Sequence, residues 1–296
     1  MTVEVENCIK NLARTLIEIE HTLKTQVCVP LKKIVDEGVT IKQPESQESV
    51  SEAICNDKIV ATAEDCTEVE QGASTHRAGD LLIPGNLGEL PALEFARGGF
   101  VAPETIDLRD YCLQTRDQGG NPWCAAYSAT SFKSNIFWRK ADTPVSFDPS
   151  PVYAWAKKND GSPNSSGTTL NAALQALIED GSFDKRICNV KVLRNIKQIK
   201  YAIHKFGCCL VGLDVTTEWN NCNKNKSTIC GKGKYDNMGG HAVLACGYNR
   251  DGLIIQNSWG ENWGAYGFAL ITWDELEREF LYGAVIDNCL YKTRMN

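Results

Sequence analysis

The sequence DQGGNPWCAAYS, residues 117–128, joins a polar loop rich in glycine to a run of helix-forming residues, with a single cysteine at the junction. We expect a helix over residues 124–140, so that Cys124 stands at its first position. A thiol there lies among unpaired backbone N–H groups at the positive end of the helix dipole, which lowers its pKa and favours the thiolate. Gln118, six residues earlier, can bring a side-chain amide beside it. Together with the backbone N–H of Cys124, this amide would offer two donors to a developing oxyanion.

A later part of the chain supplies a base and a group to orient it. His241 opens a strand-like run in GGHAVL, residues 239–244, and Asn257 follows sixteen residues later in the motif NSWG. The turn NRDG, residues 249–252, lies between them, so two neighbouring antiparallel strands could bring both side chains to one face. His241 would then exchange a proton with Cys124, and Asn257 would hold the imidazole through its amide oxygen. This pattern predicts a Cys-His-Asn catalytic triad.

Each of these residues also has an ordinary structural interpretation. A cysteine at a loop–helix junction can be a small buried apolar side chain, and a histidine can be a satisfied core residue. An asparagine can cap a turn, and a glutamine can be a surface amide. For Trp259, in the same NSWG motif, core packing is compatible with a functional role, so the two interpretations do not compete. The presence of all four polar residues together favours the catalytic interpretation.

From about Pro103 to its end, the chain resembles the papain-like cysteine peptidases. Gln118 matches the oxyanion glutamine of that family, and Cys124 matches its nucleophile. His241 matches the base and Asn257 the orienting asparagine. The run NSWGENWGAYG is the most specific part of the match. The resemblance implies hydrolysis of peptide bonds through a thioester acyl-enzyme, with no cofactor and no metal.

The resemblance also implies four substrate-binding residues. Trp259 would shield the histidine–asparagine contact from water, and Gly167 belongs to a glycine-bearing loop that binds the substrate backbone as an added strand. Trp123 and Gly240 directly precede the nucleophile and the base. An ordinary loop before a helix is the alternative interpretation for Gly167.

The implied fold is α+β, in a papain-like arrangement of two subdomains. A helical half is followed by an antiparallel β-sheet or barrel half, and the cleft between them would hold Cys124 on one wall and His241 on the other. Besides the helix that begins at Cys124, the sequence predicts helices over residues 150–158, 170–179, 196–205 and 274–280. It predicts strands over residues 187–193, 208–215, 241–248, 253–258 and 267–272.

The chain departs from the family pattern around the cysteine. Asn121 stands where the family has a disulfide-bonded cysteine, and Ala125 replaces a bulky aromatic residue. Pro122 and Trp123 replace small residues beside the nucleophile, which crowds that side of it. A catalytically silent, peptide-binding relative is therefore one alternative. An acyl transferase that uses the same triad with an amine acceptor is another.

Composition indicates which class of protein the chain belongs to and which partners it excludes. The 296-residue chain is 43% hydrophobic and 23% charged, with a net charge of −6 and no basic tract. These values fit a globular protein and argue against nucleic acid as a partner. No apolar run approaches the roughly 20 residues of a membrane span, and the N-terminus lacks the apolar core of a signal peptide. We therefore expect a chain that is cytoplasmic or exported by a non-classical route. The peptide or protein substrate is what the family resemblance implies.

Thirteen cysteines are many for this length, and without a secretion signal we expect most of them to be reduced thiols. Cys222 and Cys230 form the best candidate pair for a disulfide in an oxidising compartment. No Cys-x-x-Cys pair occurs, so we expect no zinc site.

The first 100 residues differ from the rest of the chain. A heptad stripe of apolar residues predicts a helix over residues 3–29, whereas residues 39–80 are polar and acidic. Residues 1–103 carry 9 Lys and Arg against 17 Asp and Glu, a net charge of −8, which leaves +2 for the remainder. We expect residues 1–100 to be a propeptide-like regulatory segment that covers the cleft as an intramolecular inhibitor. A peptidase domain would then occupy residues 101–296.

Overall fold

The computed structural model describes residues 81–82, 91–95, 100–179, 187, 189–231 and 236–286, all within one compact unit, Ile59–Asn296. The helix predicted over residues 3–29 and the acidic region at residues 39–80 lie outside the described residues. None of the helices in the described ranges combines the length and the apolar character needed to cross a membrane.

Three helices pack against one another and form the helical half of the fold. They are α1 (Cys124–Ala141), α2 (Pro149–Asn159) and α3 (Leu170–Glu179). Helix α2 begins where the Asp148 side chain accepts the backbone N–H of Ser150 at 2.9 Å. Its first residue is a proline, which has no backbone N–H that would need an acceptor. Helix α3 turns an apolar face inward that includes Leu170, Leu174 and Leu177.

The second half of the fold is a sheet. The strands among the described residues are β1 (Leu81–Leu82), β2 (Ile106–Asp107), β3 (Thr168–Thr169), β4 (Val190–Leu193), β5 (Cys209–Thr216), β6 (Thr228–Ile229), β7 (Asn237–Tyr248), β8 (Gly252–Gln256), β9 (Phe268–Thr272) and β10 (Phe280–Ile286). The large sheet has the order β4-β10-β5-β7-β8-β9-β6, and β2 pairs with β7. Helix α4 (Ile196–Lys205) packs on β5 and β7, and helix α5 (Trp273–Glu279) packs on β5, β8 and β9.

Strand β7 is the centre of the sheet, paired antiparallel with β5 and β8. Its side chains alternate between two cores, as the period of an extended strand requires. Leu244 and Cys246 join the core beneath α1, α2 and α3, whereas Val243 and Ala245 join a second core that contains three tryptophans and part of α5. His241 lies two residues before Val243, so it faces the second core.

The predicted α+β architecture is confirmed, and the sheet is open rather than closed into a barrel. Helix α3 has the predicted bounds, and helix α1 runs one residue further, to Ala141. The strand predicted from Ile187 begins only at Val190. Asn189 has a φ of 55°, and this left-handed backbone is incompatible with a continuous strand. Strand β10 has no counterpart among the predicted elements.

One cysteine prediction is wrong. Cys222 is a buried free thiol, whereas Cys230 is disulfide-bonded, so the two do not form a pair. The reason is that Cys222 packs into the second core beside Trp219, at the end of a 3₁₀ turn, Thr217–Asn221. Cys112, Cys124, Cys208, Cys209 and Cys246 are also outside any disulfide.

Two pieces of the chain before residue 100 dock on this fold. Strand β1 pairs parallel with β3, with Leu81 opposite Thr168. Residues 91–95 dock on β4, where Leu93 N–H donates to the carbonyl of Val192 at 2.9 Å and Val192 N–H donates to the carbonyl of Pro91 at 2.9 Å. The Leu93 side chain is buried.

Candidate active site

Cys124 is the first residue of helix α1 and is 1% exposed. Trp123 occupies the N-cap position, and within the described part of the chain no side chain caps this helix. The first turn also contains no acidic residue. The positive end of the helix dipole is therefore not neutralised locally, a setting that stabilises a thiolate.

Gln118 is held beside this helix by the loop that follows β8. Its backbone N–H donates to the carbonyl of Ser258 at 2.8 Å, and its side-chain Oε1 accepts the Ser258 hydroxyl at 2.6 Å. Its Nε2 donates to the carbonyl of Asn121 at 3.0 Å. The plane of the amide is thereby fixed, with the oxygen toward Ser258 and the nitrogen toward the loop that leads into Cys124.

Arg116 anchors the same loop to helix α1. Its guanidinium donates to the carbonyl of Phe147 at 2.8 Å, to the carbonyl of Tyr127 at 3.1 Å, and to the hydroxyls of Thr130 at 2.7 Å and Ser131 at 3.0 Å. Burial lowers the pKa of Arg116. Three of these bonds connect the segment before Gln118 to the body of the helix that carries the cysteine, and the fourth connects it to the segment between α1 and α2.

His241 and Asn257 meet as the sequence spacing predicts. His241 Nε2 lies 2.8 Å from Asn257 Oδ1, and the imidazole is fully buried. Asn257 Oδ1 also accepts the backbone N–H of Ser258 at 2.8 Å, which fixes the orientation of the amide. Since Oδ1 is an acceptor, Nε2 is the nitrogen of His241 that carries the hydrogen in this pair.

Three tryptophans enclose this pair. The rings of Trp259 and His241 are 4.8 Å apart at 38°, and the ring of Trp219 meets His241 edge-on at 5.7 Å and 82°. Trp263 stacks on Trp219 at 5.7 Å and donates its indole N–H to the Trp219 carbonyl at 2.7 Å. Trp259 is 1% exposed, so solvent has little access to the imidazole from this side.

The predicted substrate contacts lie on two sides of the cysteine helix. The ring of Trp123 stacks on Tyr153 of α2 at 4.8 Å, and the Tyr153 hydroxyl donates to the carbonyl of Ser166 at 2.6 Å. Gly240 is buried on β7, opposite Asp214 of β5. Trp123 and Tyr153 thus form an aromatic wall that is tied to the loop before α3.

Gly167 is buried, and its backbone groups are bonded to helix α2 and to its own loop. Its carbonyl accepts Lys157 Nζ at 2.8 Å, and its N–H donates to the Ser165 hydroxyl at 3.3 Å. Lys157 also donates to Asp160 at 2.7 Å and to the carbonyl of Ser162 at 2.8 Å. Next to Gly167, strand β3 is paired with β1.

Tyr282 of β10 approaches the cysteine from the sheet side. Burial is the main cause that raises the pKa of Tyr282, and the nearby charge of Cys124 adds to it. The two side chains belong to the same core.

Several residues of this site are not indicated by sequence patterns. Ser258 lies inside the NSWG motif, which is the one signal that could have identified it. Trp219 and Lys157 stand in ordinary contexts, and their roles depend on partners distant along the chain or on loop geometry.

The helical half, the largely antiparallel sheet and a histidine–asparagine pair beneath a tryptophan define the papain-like class of fold, and similar solved structures agree. The pairing of β6 with β9 is parallel. Xylellain, a cysteine protease from Xylella fastidiosa, matches with a TM-score of 0.62 at 18% identity, over 75% of this chain and 99% of that one. Procathepsin B from Trypanosoma congolense matches with a TM-score of 0.57 at 17% identity, over 70% of this chain and 85% of that one. The ragweed pollen allergen Amb a 11, a cysteine protease in its proform, matches with a TM-score of 0.52 at 16% identity, over 65% of this chain and 67% of that one. At these identities the likeness is one of fold.

Part of the sequence also matches a known family. Residues 182–280 match the family described as "Papain family cysteine protease". The matched segment contains His241 and Asn257 and begins after Cys124. Together with the fold, this match makes the chain similar to papain-family cysteine proteases over residues 182–280.

Proposed function

We propose that this protein is a cysteine endopeptidase that cleaves peptide bonds with Cys124, His241 and Asn257. The observation that carries the proposal is the 2.8 Å contact between His241 Nε2 and Asn257 Oδ1 beneath Trp259. With Nε2 engaged by Asn257, Nδ1 is the nitrogen that would exchange a proton with the thiol. Cys124 at the start of an uncapped helix would supply the thiolate.

The proposed reaction has two stages. In the first, the Cys124 thiolate attacks the substrate carbonyl, and the oxyanion is stabilised by Gln118 Nε2 and the Cys124 backbone N–H. The carbon–nitrogen bond then breaks as protonated His241 gives its proton to the leaving amine, and a thioester remains. In the second, water attacks the thioester while His241 takes its proton. The carboxylic acid leaves and the thiolate is restored.

A cysteine variant with a matched control tests the activity. We expect Cys124→Ala to abolish hydrolysis of a fluorogenic peptide while it leaves the circular dichroism spectrum unchanged. Cys112→Ala, which removes another cysteine outside any disulfide, should retain the wild-type rate. Near-wild-type hydrolysis by Cys124→Ala would sink the proposal. Transfer of the acyl group to an added amine instead of water would indicate the transferase alternative.

We further propose that residues 1–100 inhibit this activity by covering the cleft. Strand β1 pairs with β3 next to the predicted substrate loop, and its Cα atoms come within 8 Å of those of β7, the strand of His241. Residues 91–95 dock on β4 and bury Leu93. Procathepsin B and Amb a 11, two of the similar structures, are proforms by name.

Three chains of different length test this inhibition. One is the full chain, one starts at Ile59 and keeps both docking segments, and one starts at Val101 and lacks them. The chain from Val101 should hydrolyse peptide roughly tenfold faster or more, because an attached inhibitor acts at high effective concentration. The chain from Ile59 should remain close to the full chain. Equal rates for the full chain and the chain from Val101, with both folded, would contradict the inhibitory role.

A further inference from the structure

Two buried carboxyl groups lie behind one of the tryptophans that contact His241. Glu275 is 1% exposed and Glu279 is fully buried, and both belong to helix α5. They are four residues apart, so they lie on the same face of the helix, one turn from each other. The proposed peptidase reaction uses neither of them.

Glu279 is bonded to the tryptophan directly. Its Oε1 and Oε2 accept the indole N–H of Trp219 at 3.1 and 3.0 Å. Its Oε1 also accepts the backbone N–H of Thr216 at 3.2 Å and the Thr216 hydroxyl at 3.1 Å. The carboxyl therefore fixes the position of Trp219 and the end of β5 together.

Glu275 offers Glu279 a place for a proton. Glu275 Oε2 accepts the backbone N–H of Gly231 at 3.0 Å and is paired with Arg278. Its Oε1 is buried and has no hydrogen-bond partner among the described residues. The side chains of Glu275 and Glu279 are within hydrogen-bond reach of each other, so a protonated Glu279 can donate to the Glu275 carboxylate. Burial, reinforced by the charge of Glu275, raises the pKa of Glu279 to about 8.

Trp219 transmits the position of Glu279 to the imidazole. Its ring meets His241 edge-on at 5.7 Å and packs against Trp259 at 6.0 Å. Trp219 is fully buried, so a shift of its indole must displace these neighbours.

From this geometry we infer that Glu279 is a positioning residue: it sets where Trp219 lies against His241, and this position changes when the proton shared with Glu275 is lost. When that proton is lost, repulsion between two carboxylates replaces the hydrogen bond between Glu279 and Glu275. The bonds from Trp219 and Thr216 to the charged carboxylate strengthen at the same time, so Glu279 moves away from Glu275 together with the indole. This inference rests on the proposed function for its effect on catalysis. The carboxyl pair itself is independent of that function.

Other charged and titratable groups around the pair are few among the described residues. Arg278 lies on the same helix and pairs with Glu275. The Cys222 thiol interacts electrostatically with Glu279, and the 3.9 Å pair of Lys226 and Glu218 lies near Cys222. Burial is the main cause that raises the pKa of Cys222, so this thiol does not titrate in the range where Glu279 does.

The first experiment detects the proton without relying on catalysis. The full chain carrying Cys124→Ala, which removes the catalytic thiolate, is titrated from pH 6 to 9.5 while its tryptophan emission is recorded. We expect a transition near pH 8 that disappears when Glu279→Gln is added. Glu277→Gln, an exposed residue of the same helix, should leave the transition in place. An unchanged transition in folded Glu279→Gln would overturn the assignment.

The second experiment connects the pair to the site. The rate at which iodoacetamide alkylates Cys124 is measured against pH in wild type, in Glu279→Gln and in Trp219→Phe. The phenylalanine keeps an aromatic ring at this position but has no N–H to donate. The ratio of the wild-type and Glu279→Gln rates should stay constant below pH 7 and change several-fold above it. In the Trp219→Phe background, Glu279→Gln should have no further effect.

The outcomes separate the two proposals. A pH-dependent ratio in a protein that never hydrolyses peptide would support the positioning role and refute the peptidase. A constant ratio in an active peptidase would do the reverse. If Glu279→Gln does not fold, the Trp219→Phe protein alone tests whether the indole connects Glu279 to His241. Loss of the emission transition and a fall of kcat of about tenfold with KM unchanged would support the link, and wild-type values would refute it.

Discussion

At the scale of single residues, the site is defined by hydrogen bonds that leave each polar group little freedom. Ser258 contributes three of them: its carbonyl accepts Gln118 N–H, its hydroxyl donates to Gln118 Oε1 and its N–H donates to Asn257 Oδ1. One residue thus orients both the predicted oxyanion donor and the partner of His241.

Variants of Gln118 and Ser258 test this arrangement. Gln118→Ala should lower kcat by about 10²-fold with little change in KM, because an oxyanion donor acts mainly in the transition state. Ser258→Ala should lower kcat by a smaller factor, about tenfold, because the amide stays but loses the 2.6 Å bond that orients it. Ser146→Ala, at an exposed position, is the control. A Ser258→Ala protein with wild-type kcat would show that this bond does not position Gln118.

At the scale of elements, the loop before Cys124 and helix α1 behave as one piece because Arg116 joins them. We expect Arg116→Ala to lower the free energy of unfolding by about 3 kcal/mol, since it removes four hydrogen bonds of a charged group. Arg250→Ala is the control, because its 3.7 Å pair with Glu104 is largely exposed and should change stability by less than about 0.5 kcal/mol. Urea titrations of both variants measure the difference, and equal losses would contradict the anchoring role.

Elements with a local signal were predicted well from the sequence. Helix α3 has an apolar face and the predicted bounds, and the turn at residues 249–252 forms with Asn249 Oδ1 accepting the N–H groups of Asp251 and Gly252. That turn is why the spacing of His241 and Asn257 could be interpreted as a contact. Strand β10 lies between β4 and β5, both distant in sequence, so no turn signal announces it.

The same distinction applies to the site. Gln118, Cys124, His241 and Asn257 lie in motifs whose spacing identified them as candidates. Trp219 and Glu279 are 60 residues apart and meet only because α5 packs on β5. Sequence patterns indicate contacts between residues that are near each other along the chain. They do not indicate a contact between residues so far apart, so the contact of Glu279 with Trp219 could not be predicted.

At the scale of the whole molecule, Glu279 links stability to pH. Its pKa is about 8 in the folded state against an ordinary value of 4.5, so between these values the folded protein holds a proton that the unfolded chain has lost. Stability from this group should therefore fall as pH rises from about 4.5 to 8, and then level off. The lowered pKa values of Asp107 and Asp160, where hydrogen bonds to Arg109 and Lys157 outweigh burial, act in the opposite sense and only at acid pH.

Urea midpoints at pH 5, 6.5 and 8 measure this slope. We expect stability to decline across the series in wild type and the decline to be reduced in Glu279→Gln. Glu277→Gln, exposed on the same helix, should decline like wild type. The same slope in wild type and Glu279→Gln would contradict the raised pKa.

The buried thiols bear on the central claim, that Cys124 is an activated nucleophile. Hydrogen bonds to Cys208 and Cys246 raise the pKa of Cys112, and burial raises those of Cys209 and Cys246. These groups remain thiols at neutral pH and should react slowly, whereas a cysteine at an uncapped helix N-terminus should react quickly.

The most direct measurement is to incubate the full chain and the chain from Val101 with an epoxide-type inhibitor of thiol proteases and to locate the adduct by mass spectrometry. We expect one adduct, on Cys124 among the thirteen cysteines, formed faster in the chain from Val101. Failure to label Cys124 in either folded chain, or equal labelling of Cys112 and Cys124, would contradict the claim that Cys124 is an activated nucleophile.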